Sequence, residues 1–225
     1  MGKIAKKYCR KIFITDDNPR NEDPKKIRST IMKTCKKLAM NIGNRKIAFV
    51  LEGRDASGKG GFLKFLIANE IPHLVRHQGM PTKTRNKAWL SDYERVMPKK
   101  GQLIIFDRSW HTRSWVQPAL GYCTKRQYEN HIKRVKAWEI KQENKGVEIV
   151  KNWISISKAE QEKLIARRKE FKPYKWSETD DLGVTHFDRI THFKERMFLE
   201  CPKWNIVEKA HANKKLLEIL IDATA

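Results

Sequence analysis

The chain has 225 residues, 40% hydrophobic and 33% charged, and its 48 Lys plus Arg against 26 Asp plus Glu give a formal net charge of +22. No apolar run approaches the roughly 18 residues of a membrane span, and the basic N-terminus lacks an apolar stretch with a small-residue cleavage site, so neither a membrane-spanning nor a secreted protein is expected. The charge excess attracts polyanions, whether nucleic acid, an anionic membrane surface or a phosphate polymer, while 7 Trp, 9 Phe and 5 Tyr require a packed core rather than disorder.

In chain order, residues 1–22 form a basic arm with a turn signal at Asp16-Asp17-Asn18-Pro19. Asp23 and Pro24 read as an N-cap and first helical residue. The helix they open carries Ile27, Ile31, Leu38 and Ile42 at helical spacings and stops at Gly43. The run Ile47–Leu51 suits a strand covered on both faces. A glycine-rich turn and an apolar helix through Phe62, Leu63, Phe65, Leu66 and Ile67 follow. Residues 73–78 read as a second strand, residues 84–97 as a helix, and Leu103–Phe106 as a third strand ending at Asp107. Helices are expected over Lys125–Asn144, Lys158–Lys169 and Asn213–Ile221, with strands at Val147–Ile156 and Trp204–Val207. Strands alternating with helices predict an α/β fold, a parallel sheet with helices on both faces. The expected organisation is the arm followed by one domain over 23–225. Such sheets bind ligands beyond the carboxyl ends of their strands.

Two motifs fall at such ends. Gly53-Arg54-Asp55-Ala56-Ser57-Gly58-Lys59-Gly60 matches the GxxxxGK phosphate loop between a predicted strand and a predicted helix. Glycines let backbone N–H groups turn inward, the helix N-terminus adds positive potential, and Lys59 supplies a mobile cation. Gly60 stands where a Ser or Thr usually ligates magnesium, and Asp55 offers a carboxylate instead. The second motif, Leu103-Ile104-Ile105-Phe106-Asp107-Arg108-Ser109-Trp110, ends an apolar strand in the acid that a phosphate-loop enzyme uses to hold magnesium. Arg108 and Arg113 follow, and arginine forks match phosphate oxygens. A third cluster, Arg167-Arg168-Lys169 with Lys172 and Lys175, lies where a segment could close over a phosphate and exclude water. Trp110, Trp115 and Trp153 are expected in the core. Cys9, Cys35, Cys123 and Cys201 have neither zinc nor disulfide spacing, which points to a reducing, cytoplasmic compartment. His73 and His77 lie on a predicted strand with no third ligand nearby, so no metal site is expected there.

Together the stretches Glu52–Gly61 and Phe106–Trp110 resemble the two signatures of the polyphosphate kinase 2 family. So do Gly121–Thr124, Trp153–Lys158 with Glu160-Gln161-Glu162, and Phe187-Asp188 through Met197-Phe198. The resemblance implies a P-loop kinase-like three-layer sandwich, with about five strands and a helical lid at about residues 165–192. It implies Mg2+-dependent transfer of a terminal phosphoryl group between inorganic polyphosphate and a nucleoside mono- or diphosphate, with Mn2+ as a second usable ion. By the same resemblance Asp55 and Asp107 hold the metal, and Gly53, Arg54, Ala56, Ser57, Gly58, Lys59, Gly60 and Gly61 cradle phosphate. Arg108 and Arg113 stabilise charge, and Arg167, Arg168 and Lys175 act from the lid. The family's homo-dimers or homo-tetramers are expected, without membrane or specific nucleic-acid partners. Three departures bear on the acceptor: Gln117 replaces an acid, Met80-Pro81-Thr82 replaces Lys-Pro-Thr, and Tyr174-Lys175 replaces Trp-Lys. Two other readings share the motifs: an ATP-dependent nucleotide kinase, and a non-catalytic binder of polyanions or nucleic acid with a disused loop.

Overall fold

The computed structural model describes residues 42–69, 74–77 and 89–224. The basic arm and the helix expected before Ile42 lie outside these residues, as do His73 and Met80-Pro81-Thr82. In chain order the elements are β1 (Lys46–Gly53), α1 (Lys59–Ala68), β2 (Leu74–His77), α2 (Trp89–Glu94), β3 (Gln102–Asp107), α3 (Thr112–Ala119), α4 (Lys125–Asn144) and β4 (Val147–Ser155). After them come α5 (Lys158–Phe171), a 3-10 turn (Pro173–Lys175), α6 (Glu178–Thr185), α7 (Phe187–Glu200), β5 (Trp204–Glu208), a second 3-10 turn (Lys209–His211) and α8 (Ala212–Thr224).

The five strands among the described residues form one sheet in the order β2-β3-β1-β4-β5, and every neighbouring pair is parallel. Parallel strands need covered faces, and the alternation along β1 supplies both. Ile47, Phe49 and Leu51 pack with Phe62 and Leu66 of α1 and with Leu216 and Leu220 of α8. Ala48 and Val50 point the other way, into a core with Trp89, Tyr93, Trp110, Val135 and Trp138. That second layer continues through Trp115, Trp153, Ile190 and Met197, so the three tryptophans expected in the core are buried there.

Helix α4 begins where its capping signal lies. The Thr124 hydroxyl accepts a hydrogen bond from the Gln127 backbone N–H, and the Gln127 side chain accepts one from the Thr124 N–H. The sequence reading names no individual helix over α3, α6 or α7, although α7 carries Ile190, Phe193, Met197 and Phe198 at helical spacing and packs them against α3 and β4. All eight residues of α3 are buried, and Pro118 lies inside it. A helix enclosed on every side has no polar face to set a period, and here its polar residues are part of the interior. Helix α6 is short, acidic in its first turn and interrupted by Gly183, and is held by a Ser177–Asp180 capping box.

Candidate active site

The register sets the geometry. Leu51 of β1 lies beside Asp107 of β3, and Gly53 beside Ile154 of β4, so the phosphate loop and the acidic strand end emerge together at the carboxyl edge of the sheet. Gly53 has φ +148, and a Cβ there would stand 2.6 Å from the Ile154 carbonyl oxygen and 2.8 Å from Ser57 Oγ. Only glycine fits that close approach. Gly58, at φ +112, is the N-cap of α1. Gly60 and Gly61 are exposed, with open space where a side chain would be.

Lys59 folds back over the loop, its Nζ donating to the carbonyl oxygens of Gly53 at 2.6 Å and Arg54 at 2.9 Å. Burial is the main force on its ammonium and the Arg108 cation adds to it, so its pKa falls to about 8 although Asp55, Asp107 and Glu52 oppose the change. Burial pushes the Asp55 carboxyl up, but Arg108, Lys59 and Arg168 outweigh it and hold the group below its ordinary value. Asp55 Oδ1 accepts from Arg108 Nη2 at 2.5 Å. Burial works against the Arg108 cation, and Asp55, Glu52 and Asp107 more than compensate. Asp55 and Asp107 therefore share the same two cations, Lys59 and Arg108.

Two donors in this cluster have no hydrogen-bond partner among the described residues: Arg108 Nη1 and the Ser57 hydroxyl, both buried. Buried orphan donors are uncommon, and beside a lysine-bearing loop they suit the oxygens of a phosphate. The two carboxylates are hard oxygen donors of the type magnesium takes together with phosphate oxygens and waters. The residues present thus fit such an ion.

The other expected residues divide. Arg168 donates to Asp180 Oδ1 at 2.8 Å and still acts on Asp55 through space. Helix α6 lies against the loop, because a Cβ on Gly183 would stand 3.2 Å from Asp55 Oδ2. Arg167 is exposed. Lys175 is exposed too, and the neighbouring Lys64 lowers its pKa, with Lys172 and Arg168 adding to the effect. Arg113 lies one helix further in, 4% exposed, with Nε donating to Gln117 Oε1 at 3.0 Å and the guanidinium 4.8 Å from the Trp89 ring centre. Arg54 turns away from the loop. Its Nη2 donates to the Phe187 carbonyl at 2.8 Å and to Thr191 Oγ1 at 2.5 Å, and its guanidinium stacks 3.6 Å over the Phe187 ring.

The sequence reading gave no role to Glu52, Ser109, Asp180 or Gly183. Glu52 carried a signal, since it is a lone acid inside an apolar strand and is fully buried. Asp180 carried a weaker signal, standing three residues after Ser177, from whose backbone N–H it accepts, whereas the contacts of Ser109 with Glu52 and of Gly183 with Asp55 join residues far apart in the chain. A separate buried group, His111, Glu139 and Cys201, places three ligand atoms within 4.8 Å of one another. It does not suit a metal, because Lys151 Nζ already donates to Glu139 Oε2 at 2.8 Å and burial pushes the Cys201 thiol up to about 12. Among the described residues, no helix is long and apolar enough to cross a membrane.

Comparison with known proteins agrees with this geometry. The polyphosphate kinase 2 family model matches residues 16–224. An ADP-polyphosphate phosphotransferase of Rhizobium meliloti is 32% identical over 200 residues, 84% of this chain and 67% of the relative. A GDP-polyphosphate phosphotransferase of Mycolicibacterium smegmatis is 31% identical over 196 residues, 83% of this chain and 69% of that relative. Among solved structures, polyphosphate kinase 2 from Arthrobacter aurescens has the same fold, with a TM-score of 0.75 at 21% identity over 87% of this chain and 75% of that one. A phosphate loop carrying Asp55, an Asp107-Arg108 strand end beside it, and a family match over nearly the whole chain lead to one conclusion: this chain belongs to the polyphosphate kinase 2 family.

Proposed function

We propose that the chain transfers a terminal phosphoryl group between inorganic polyphosphate and a nucleoside mono- or diphosphate, with Mg2+ held by Asp55 and Asp107. The observation that carries this reading is the joining of the two motifs through the Asp55–Arg108 ion pair. The chain's similarity to an ADP-polyphosphate phosphotransferase and a GDP-polyphosphate phosphotransferase supports it.

Phosphoryl transfer asks the protein mainly for in-line positioning and charge neutralisation. The acceptor's phosphate oxygen is already ionised near neutral pH, so no strong general base is needed. The loop amides and Lys59 hold the oxygens of the transferring group. Arg108 keeps one guanidinium nitrogen on Asp55 and has the other for a phosphate oxygen. The bound ion supplies further neutralisation of charge on the phosphoryl oxygens. In this reading Arg113, whose Nε donates to Gln117 on α3, stabilises charge on the phosphate groups, and residues 165–192 act as a lid. Arg168 is tethered on that lid by Asp180. Lys64, Lys172 and Arg168 lie close enough to Lys175 to lower its pKa, and that grouping of cations suits a polyanion leaving the phosphate loop. A cytoplasmic homo-dimer or homo-tetramer completes the proposal.

The decisive assay supplies purified polyphosphate with AMP or ADP separately, with no other donor, and identifies the products. Formation of ADP or ATP is expected, and activity only with ATP as donor would favour the nucleotide-kinase reading. Asp55→Asn and Asp107→Asn should each abolish nearly all turnover with an unchanged circular dichroism spectrum. Near-normal turnover in either would remove the metal assignment.

A further inference from the structure

Glu52 is fully buried at the end of β1, immediately before the phosphate loop. Its Oε1 accepts from the Ser109 backbone N–H at 2.8 Å and from the Ser109 hydroxyl at 2.7 Å. Its Oε2 accepts from the Trp115 indole N–H at 3.1 Å. All three donors are neutral. A buried carboxylate without a directly bonded cation is costly, and this one is offset through space by Lys59 and Arg108.

The three bonds meet around one residue. Arg108, between Asp107 and Ser109, has φ +64, a left-handed conformation that an L side chain rarely adopts. Its N–H donates to the Leu51 carbonyl at 3.1 Å. Thus β1 holds the turn twice: by the Leu51 carbonyl on Arg108 and by the Glu52 carboxylate on Ser109. Strained backbone persists where the surroundings over-determine it. Ser109 Oγ in turn accepts from the His111 N–H at 3.1 Å, and Trp115 is the fourth residue of α3. One carboxylate therefore ties together the first strand, the Asp107–Ser109 turn and the start of α3.

We propose that Glu52 is a positioning residue for phosphoryl transfer, holding the Asp107–Arg108–Ser109 turn in the strained form that aims Asp107 and Arg108 at Asp55 and the phosphate loop. This rests on the roles proposed above for Asp107 and Arg108. It touches no substrate. Its effect reaches the reaction through the turn, where a misplacement of about 1 Å costs on the order of 10²-fold in rate.

Glu52→Gln keeps the volume and can still accept from Ser109, but it presents an amide N–H to the Trp115 indole N–H and removes the charge. The expected result is a kcat about 10–100-fold lower, with the polyphosphate KM changed by less than about threefold, because the hydrogen bonds of Glu52 go to Ser109 and Trp115 and not to the phosphate loop. Trp115→Phe supplies the readout that a merely structural role would not move. Alone, it leaves Oε2 unpaired and lowers kcat. In the Glu52→Gln background it removes the opposed donor and raises kcat, and this reversal of sign measures the coupling. A Glu52→Gln enzyme within threefold of the parent kcat, or a Trp115→Phe effect of the same sign in both backgrounds, overturns the proposal. Should Glu52→Gln fail to fold, Ser109→Ala and Trp115→Phe are read singly. Both should lower kcat several-fold at constant KM, and no change in either overturns the proposal. If the parent chain itself transfers nothing from polyphosphate, the proposed function falls and Glu52 is not the cause.

Discussion

Lys59 shows how one residue's surroundings set its chemistry. Desolvated and facing Arg108, its ammonium has a pKa of about 8 rather than the ordinary 10.5, so it is charged below pH 8 and neutral above. A charged Lys59 is required on the reading proposed here. The free enzyme's kcat/KM should therefore fall above about pH 8 along a one-proton limb. Lys59→Arg stays protonated and should lose that limb while running more slowly at every pH. A parent profile flat to about pH 10, near the ordinary lysine value, would contradict this. The loop was legible at this scale because glycine spacing, a strand end and a lysine are contiguous, and position 53 requires glycine because a Cβ there would meet the Ile154 carbonyl. The direction of Arg54 was not. Its position inside the motif suggests phosphate, whereas its guanidinium is engaged by Phe187 and Thr191, more than a hundred residues away.

At the scale of elements, α5 to α6 illustrates a segment whose order comes from a few polar links. Arg168 of α5 pairs with Asp180 of α6, and Asp180 also accepts from the Ser177 backbone N–H at 3.1 Å. Asp180→Ala removes both links. It should cost about 1 kcal/mol of local stability through the lost cap and lower kcat several-fold by releasing α6 from Asp55. Steady-state kinetics with hydrogen exchange over residues 177–186 would check this, and unchanged exchange with unchanged kcat would contradict it. The long amphipathic helix α4 was legible to the residue because one face is buried and a capping box starts it. Helices α3 and α6 were not, one because it is enclosed on all sides and the other because its acids serve caps and partners rather than a solvent face.

For the whole molecule, the charge of +22 has a measurable consequence. A polyanion held by lysines and arginines releases counterions, so log affinity should fall linearly with log salt, by roughly 0.7–0.9 per phosphate neutralised. Polyphosphate binding measured between low and physiological ionic strength should show a slope of several units. A flat response would refute the basic path over Lys64, Lys172 and Lys175.

What the sequence determined by itself is whatever is written locally or summed over the chain: the charge, the alternation of strands and helices, the buried strand patterns and the phosphate loop, each readable because its physics acts between near neighbours. What only the tertiary structure decided is which distant groups meet. Glu52 finds Ser109 and Trp115, Arg108 finds Asp55, Arg54 finds the start of α7, and Gly183 comes against Asp55. Parallel pairing of β1 with β3 and β4 creates those meetings, and no periodicity along the chain encodes a hydrogen bond between residues more than fifty positions apart.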